Sequence, residues 1–173
     1  KRGASIASMI YNNTTAVELR LISGNVLSGT KIEKEGFVSA YDNQVTVIKE
    51  CNEAEFMGWL APGVKKFSFS RTFLAGFLTN CGNRKYKVDT NLHGGRRPFV
   101  VTGEFEKVFP MDIYPMQLIK ACIIEDIDMM EQLGIYEVDP EDFALCELID
   151  SSKTDIQEII SKGLELMRKE MGE

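Results

Sequence analysis

The hydrophobic rhythm of the chain changes part-way along. In the first part it is mostly two: Val17, Leu19 and Leu21 alternate with Glu18 and Arg20, which predicts a half-buried strand. Ahead of it, Ile6, Met9 and Ile10 recur at helical spacing behind Ser5, a residue suited to an N-cap. Asn12-Asn13-Thr14-Thr15 separates the two, because these side chains compete for local backbone hydrogen bonds. Gly24 and Gly29 mark turns, and residues 37–40 with 44–48 form a candidate hairpin about Tyr41-Asp42-Asn43. Phe67 and Phe69 alternate with Ser68 and Ser70 as a strand, and residues 71–78 read as a short helix ending near Asn80-Cys81-Gly82. Trp59 reads as a core aromatic before the Pro62-Gly63 turn, and residues 99–101 and 105–108 read as hairpin arms about Gly103.

Beyond Pro110 the rhythm becomes helical. Pro115 suits the first turn of a helix with Leu118, Ile119, Cys122 and Ile123 on its apolar face. A second helix is expected over residues 126–133, with Gly134 as its stop. Asp139-Pro140-Glu141-Asp142 then opens a third: a cap, a proline at the first position and two acids on the helix dipole. Phe143, Leu145, Cys146, Leu148 and Ile149 are its expected buried surface. The last, over residues 155–171, carries Ile156, Ile159, Ile160, Gly163, Met167 and Met171 on one stripe. Four short helices with brief links predict a small bundle.

The expected class is therefore α+β: a β-grasp portion over residues 1–50, a β-rich connecting region over 51–110, and an acidic C-terminal helical bundle over 111–173. Charge follows this division. Residues 1–110 carry 15 Lys/Arg against 10 Asp/Glu, and residues 111–173 carry 5 against 16. Such a split suggests two units with different neighbours. The acidic half would repel phosphate backbones and anionic lipid heads. No apolar run approaches the roughly 20 residues of a membrane span. The chain opens Lys1-Arg2-Gly3 without an initiator methionine and reads as a fragment of a longer protein.

Candidate chemistry is sparse. Cys51, Cys81, Cys122 and Cys146 are widely spaced and have one histidine to join them, whereas zinc or iron–sulfur ligation wants closely paired ligands. Four reduced thiols and no bound metal are expected. Neither a Gly-x-Gly-x-x-Gly run nor a P-loop lysine is present, so a self-contained nucleotide cradle is not expected. His93, before two glycines, reads as a turn or surface histidine. The basic residues Arg84, Lys85, Lys87, His93, Arg96 and Arg97, with Tyr86 among them, are the densest positive region, and Lys65, Lys66 and Arg71 precede them. They fit a solvated loop, a contact with a partner protein or membrane surface, or a nucleic-acid contact that salt would weaken steeply.

Three motifs carry a resemblance. Phe56, Gly58, Trp59, Pro62, Gly63, Lys65, Lys66, Phe67, Ser68 and Arg71 form the first. His93, Gly94, Gly95, Arg97, Gly103, Glu106, Val108, Pro110, Asp112, Ile113 and Pro115 form the second, and Glu141, Asp142, Ala144, Leu145 and Cys146 the third. In this order they resemble the C-terminal portion of the A subunit of the sodium-translocating NADH:quinone oxidoreductase (Na+-NQR). A weaker helix–strand–glycine rhythm through Gly3, Ile6, Ile10, Ile22, Ser23, Gly24, Leu27 and Gly29 resembles a soluble-ligand-binding β-grasp (SLBB) module. In one respect the chain departs from the family: Asp150 stands where many members place a second cysteine after the Ala-Leu-Cys run.

The resemblance implies a peripheral subunit on the cytoplasmic side of a bacterial inner membrane. The complex it implies passes electrons from NADH to ubiquinone and exports sodium. FMN, FAD and iron–sulfur centres would then reside in other subunits, and this fragment would bind no cofactor. Its expected role is assembly and quinone access rather than catalysis. Lys65, Lys66, Arg71, His93, Arg96 and Arg97 are the candidate partner-contact residues, and no nucleic acid is expected. A free-standing ligand-binding β-grasp module is the alternative, followed by a nucleic-acid-binding module.

Overall fold

The computed structural model describes residues 3–11, 13, 18–51, 60, 62–63, 74 and 89–172. The chain divides into two compact units, Lys1–Gly94 and Gly95–Glu173. The class is α+β, with a three-stranded antiparallel sheet and several helices. The strand expected about Phe67 and Phe69, the helix over 71–78, Trp59, and the basic residues Arg84, Lys85 and Lys87 lie outside the described residues.

The first unit begins with α1 (Ile6–Ile10), as its apolar spacing predicts. Ser5 occupies the N-cap position but its side chain makes no capping bond; Ser8 Oγ donates to its carbonyl instead, at 2.7 Å. Strands β1 (Leu19–Ser23), β2 (Thr30–Ile32) and β3 (Val45–Lys49) pair in the order β2-β1-β3. Leu21 faces Ile32 on one side and Val47 on the other. Ile6, Leu21 and Val38 form the buried core, flanked by Ala4, Ile10, Leu19, Ile32 and Val45.

The hairpin expected between residues 37–40 and 44–48 does not form. Val38 pairs with the N-terminal segment instead: its N–H donates to Ala4 O at 3.0 Å, and Gly3 N–H donates to its carbonyl at 3.2 Å. A buried polar node fixes this choice. Ser23 Oγ, fully buried, donates to Asp42 Oδ2 and accepts from Ser39 N–H. The loop is thereby drawn over the end of β1, leaving β3 to pair with β1 itself.

At the opposite end of β1, Arg20 clasps Glu50 in a two-pronged ion pair, Nη2 to Oε1 at 2.6 Å and Nε to Oε2 at 3.0 Å. The bond from Arg20, followed by its charge, lowers the Glu50 pKa below its ordinary value of 4.5, and Thr90 Oγ1 adds a further donor. A depressed carboxylate pKa contributes stability that is fully present above 4.5 and is lost as pH falls through the folded-state value. Carbon-detected NMR titration is expected to place Glu50 below its counterpart in the denatured chain. Arg20→Ala should erase most of that difference.

The second unit opens on residues 95–104, which form neither helix nor strand. The second expected hairpin is also absent: residues 105–107 make a turn of 3₁₀ helix, not a strand. Phe105 is almost fully buried in the unit's core, and its ring lies 5.9 Å from that of Phe99. Burying both rings in one core brings the two arms together without ladder pairing.

Four helices follow: α2 (Pro115–Ile124), α3 (Ile127–Gln132), α4 (Ala144–Ile149) and α5 (Ile156–Glu170). Their boundaries follow the sequence closely. Pro115 sits in the first turn of α2, and Asp126 caps α3 by accepting from Met129 N–H at 3.0 Å. Gly134 stops α3 with φ +84°, a conformation glycine adopts without strain. Asp139 N–H donates to Asp142 Oδ2 at 2.9 Å, the return half of a capping box, and a 3₁₀ turn over Pro140–Phe143 leads into α4. The core gathers Phe105, Met116, Leu118, Ile119, Met130, Ile135, Phe143, Cys146, Ile156 and Ile160.

Three expected faces are corrected. Ile123, Leu145 and Leu148 are exposed, as is Met171 beyond the end of α5. Helices α2 and α4 each bury a narrower stripe than their apolar content offers, with Met116 and Ala121 taking the inward positions on α2. Where α2 meets α5, Gly163 lets the helices approach: a Cβ there would stand 2.8 Å from Cys122 Sγ.

Candidate functional site

The site is assembled by one loop. Between α4 and α5 the chain runs Asp150-Ser151-Ser152-Lys153-Thr154-Asp155, with Asp150 and Ser152 buried. Asp150 organises the turn from inside. Its Oδ1 accepts from Ser152 N–H at 3.0 Å and its Oδ2 from Thr154 N–H at 2.9 Å. Lys153, between those two donors, is held at φ +57°, left-handed backbone that lysine seldom adopts. Asp150 thus has a structural task of its own.

The ordered loop then captures the start of the unit. Ser152 O accepts from Arg97 N–H at 2.9 Å, and Arg96 Nη2 meets Asp155 Oδ2 at 2.5 Å. Arg96, Arg97, Lys153, Thr154 and Asp155 consequently line an open cleft of about 310 Å³ with Glu158, Ile159 and Lys162 of α5. Glu158 is already committed to Lys162 at 2.6 Å, which lowers the carboxyl pKa and raises that of the ammonium. Arg97 and Lys153 have no side-chain partner among the described residues. Thr154 Oγ1 is sealed from solvent and has no hydrogen-bond partner.

The cleft is a positive spot on a negative unit. Residues 95–173 hold eight Lys/Arg against eighteen Asp/Glu, and four of those eight basic residues line it. It suits carboxylates or other anions presented from outside. It offers no nucleophile–base pair.

The other candidates separate from this group. His93 belongs to the first unit, where Nε2 lies 3.0 Å from Asp89 Oδ1 and the backbone N–H donates to Asn91 Oδ1 at 3.3 Å. These contacts tie down a turn in which His93 has φ +49°. Lys65, Lys66 and Arg71 lie outside the described residues. Lys153, Thr154 and Lys162 were not legible as site residues. Their signal was indirect, in the turn-forming Asp-Ser-Ser-x-Thr-Asp composition just before a strong helix.

No three His, Cys, Asp or Glu residues among those described stand close enough to hold a metal ion, and no described helix is long and apolar enough to cross a membrane. Of the thiols, burial pushes the Cys122 pKa up to about 11. The Cys146 pKa rises to about 12 through burial and the nearby Glu106 carboxylate. The reactive thiolate is then a very small minority of both buried thiols near neutral pH. Iodoacetamide labelling read by peptide mass spectrometry should modify half-buried Cys51 well before Cys122 or Cys146. Denaturation should accelerate those two at least about tenfold.

Comparison with known proteins bears on this arrangement. The family described as "NQRA C-terminal domain" matches residues 1–34. The A subunit of the Na(+)-translocating NADH-quinone reductase of Rhodopirellula baltica is 39% identical over 170 residues, covering 97% of this chain and 37% of that protein. The same-named proteins of Actinobacillus succinogenes and Neisseria meningitidis serogroup C are 37% and 36% identical over 169 residues, with the same coverage. By sequence, the chain is a relative of this A subunit. It spans little more than a third of the length of these relatives. The alignment runs almost end to end, so the Asp150 loop and the basic cleft lie in the related region.

Proposed function

We propose that the chain is the C-terminal part of the peripheral A subunit of a sodium-pumping NADH:quinone reductase, and that it serves assembly of the complex and quinone access without carrying a redox centre. The observation that carries this reading is 36–39% identity over 97% of the chain to proteins of that name. In this reading the first unit is a β-grasp of the SLBB kind. Its helix α1, packing Ile6 against the sheet, and the family match over residues 1–34 support that assignment. The second unit is a small helical bundle on the acidic side of the chain.

Electron transfer from NADH to ubiquinone, with FMN, FAD and iron–sulfur centres, falls to other subunits. Inert buried thiols and a cleft without a nucleophile–base pair suit a part that holds its neighbours rather than one that reacts. Arg96 and Arg97 are the described residues best placed to contact a partner, with His93, Lys65, Lys66 and Arg71 as further contact candidates. Association with the cytoplasmic face of a bacterial inner membrane then comes through integral subunits.

The test is purification of the full-length protein from detergent-solubilised native membranes, read by mass spectrometry and by a NADH:quinone assay with and without sodium. Membrane subunits and sodium-stimulated activity should co-purify. Recovery of the protein alone and inactive would overturn the reading.

A further inference from the structure

The basic cleft does not end at the start of α5. Ile159 and Lys162 line it, and they also line a second recess of about 320 Å³ between α2 and α5. The floor of that recess is Cys122 and Gly163, and its walls include Ile123 and Leu166. One continuous surface therefore runs from the loop at Lys153 along α5 to Lys169, and its helical part from Ile156 spans about 20 Å at the helical rise per residue. Its first end is cationic and its middle apolar. Ile123, 45% exposed, projects from α2 without a buried partner surface of its own.

Charge says what covers it. The surface holds five of the eight Lys/Arg of residues 95–173 but only four of the eighteen Asp/Glu. Two of those four, Asp155 and Glu158, are already neutralised by Arg96 and Lys162, whereas Arg97 and Lys153 remain open. A second copy of this unit could also present carboxylates beside an exposed apolar side chain, as at Ile124 with Glu125, Asp126 and Asp128, and cross-linking separates that occupant from a different subunit. A small molecule could not span the length. The geometry points to one occupant: an acidic segment of a partner subunit, with carboxylates against Arg97 and Lys153 and one branched or aromatic side chain in the recess beside Ile123. This deepens the assembly reading and rests on it.

The test places a photo-activated benzoylphenylalanine at Ile123 of the full-length protein in native membranes, with Tyr41 as a control position that is 94% exposed. The cross-linked peptide is then sequenced by mass spectrometry. Ile123 should capture another subunit, at a stretch with at least two Asp/Glu within a few residues of an apolar side chain. The double variant R97E/K153E, folded as judged by circular dichroism, should lower that yield at least about fivefold, and raised salt should lower the wild-type yield. Capture of a basic segment, of lipid or of a second copy of this protein would overturn the proposal. So would no capture from a complex that otherwise co-purifies, and in that case the assembly reading would stand. Loss of all partner subunits in the wild-type purification would overturn both.

Discussion

Replacing Phe143 with alanine is expected to remove about 3–5 kcal/mol of stability from the helical unit, the largest effect of any single truncation argued from its packing. The ring is fully buried at the junction of the Pro140–Phe143 turn and α4. Its centroid lies 4.7 Å from that of Phe109, in a tilted pair. Pairs of this kind contribute about 0.5–1.5 kcal/mol beyond the area they bury. Truncation leaves a cavity bounded by two helices and a turn that cannot all collapse into it. Leu148, five residues further on and within α4, supplies the contrast: it is 51% exposed, and Leu148→Ala should change stability by no more than about 0.5 kcal/mol. Guanidinium unfolding followed by far-ultraviolet circular dichroism measures both. Equal losses from the two variants would mean that the α4 face is assigned wrongly.

That contrast also shows where the sequence stopped being informative. Phe143 and Leu148 are both strong apolar residues expected on one buried surface, yet Phe143 closes the 3₁₀ turn before α4 whereas Leu148 lies on α4 itself. What separates them is the narrow stripe that a six-residue helix can present to α5, a tertiary fact. Helix ends were legible because their causes are local: Pro115, the Asp126 cap, Gly134 and the Asp139–Asp142 pair each act within four residues. Strand pairing was less so. Residues 37–40 had a plausible turn beside them, yet the long-range Ser23–Asp42–Ser39 node set their place. Residues 99–108 alternate like a hairpin, but burial of Phe99 and Phe105 against one core decides their path. At the site, Arg96 and Arg97 could be picked out as basic residues. Their neighbours Lys153 and Lys162 lie more than fifty residues away and become visible only through the backbone bond from Arg97 to Ser152.

The second large effect is expected at Asp150. Its carboxylate accepts from two backbone N–H groups, at Ser152 and Thr154, and both bonds lie in a part of the loop where water has little access. A hydrogen bond to a charged acceptor contributes about 1.5–3 kcal/mol, and a buried donor left without a partner loses the desolvation cost as well. Asp150→Ala should therefore cost about 3 kcal/mol. Asp150→Asn, which keeps one acceptor oxygen, should cost roughly half as much. Lys153 makes the effect more than thermodynamic. Its left-handed backbone persists because the two flanking bonds enforce it, so their loss lets residues 151–154 relax toward ordinary turn geometry. The carbonyl of Ser152 would then no longer hold Arg97, and the cleft would lose its shape before the unit lost its fold. Amide hydrogen exchange separates the two consequences. In Asp150→Asn, protection should fall at Arg97, Ser152 and Thr154 while the α2 and α5 amides around Ile119 and Ile160 stay protected. Uniform loss across all of these amides would show that Asp150 supports the core as a whole rather than the loop that builds the site.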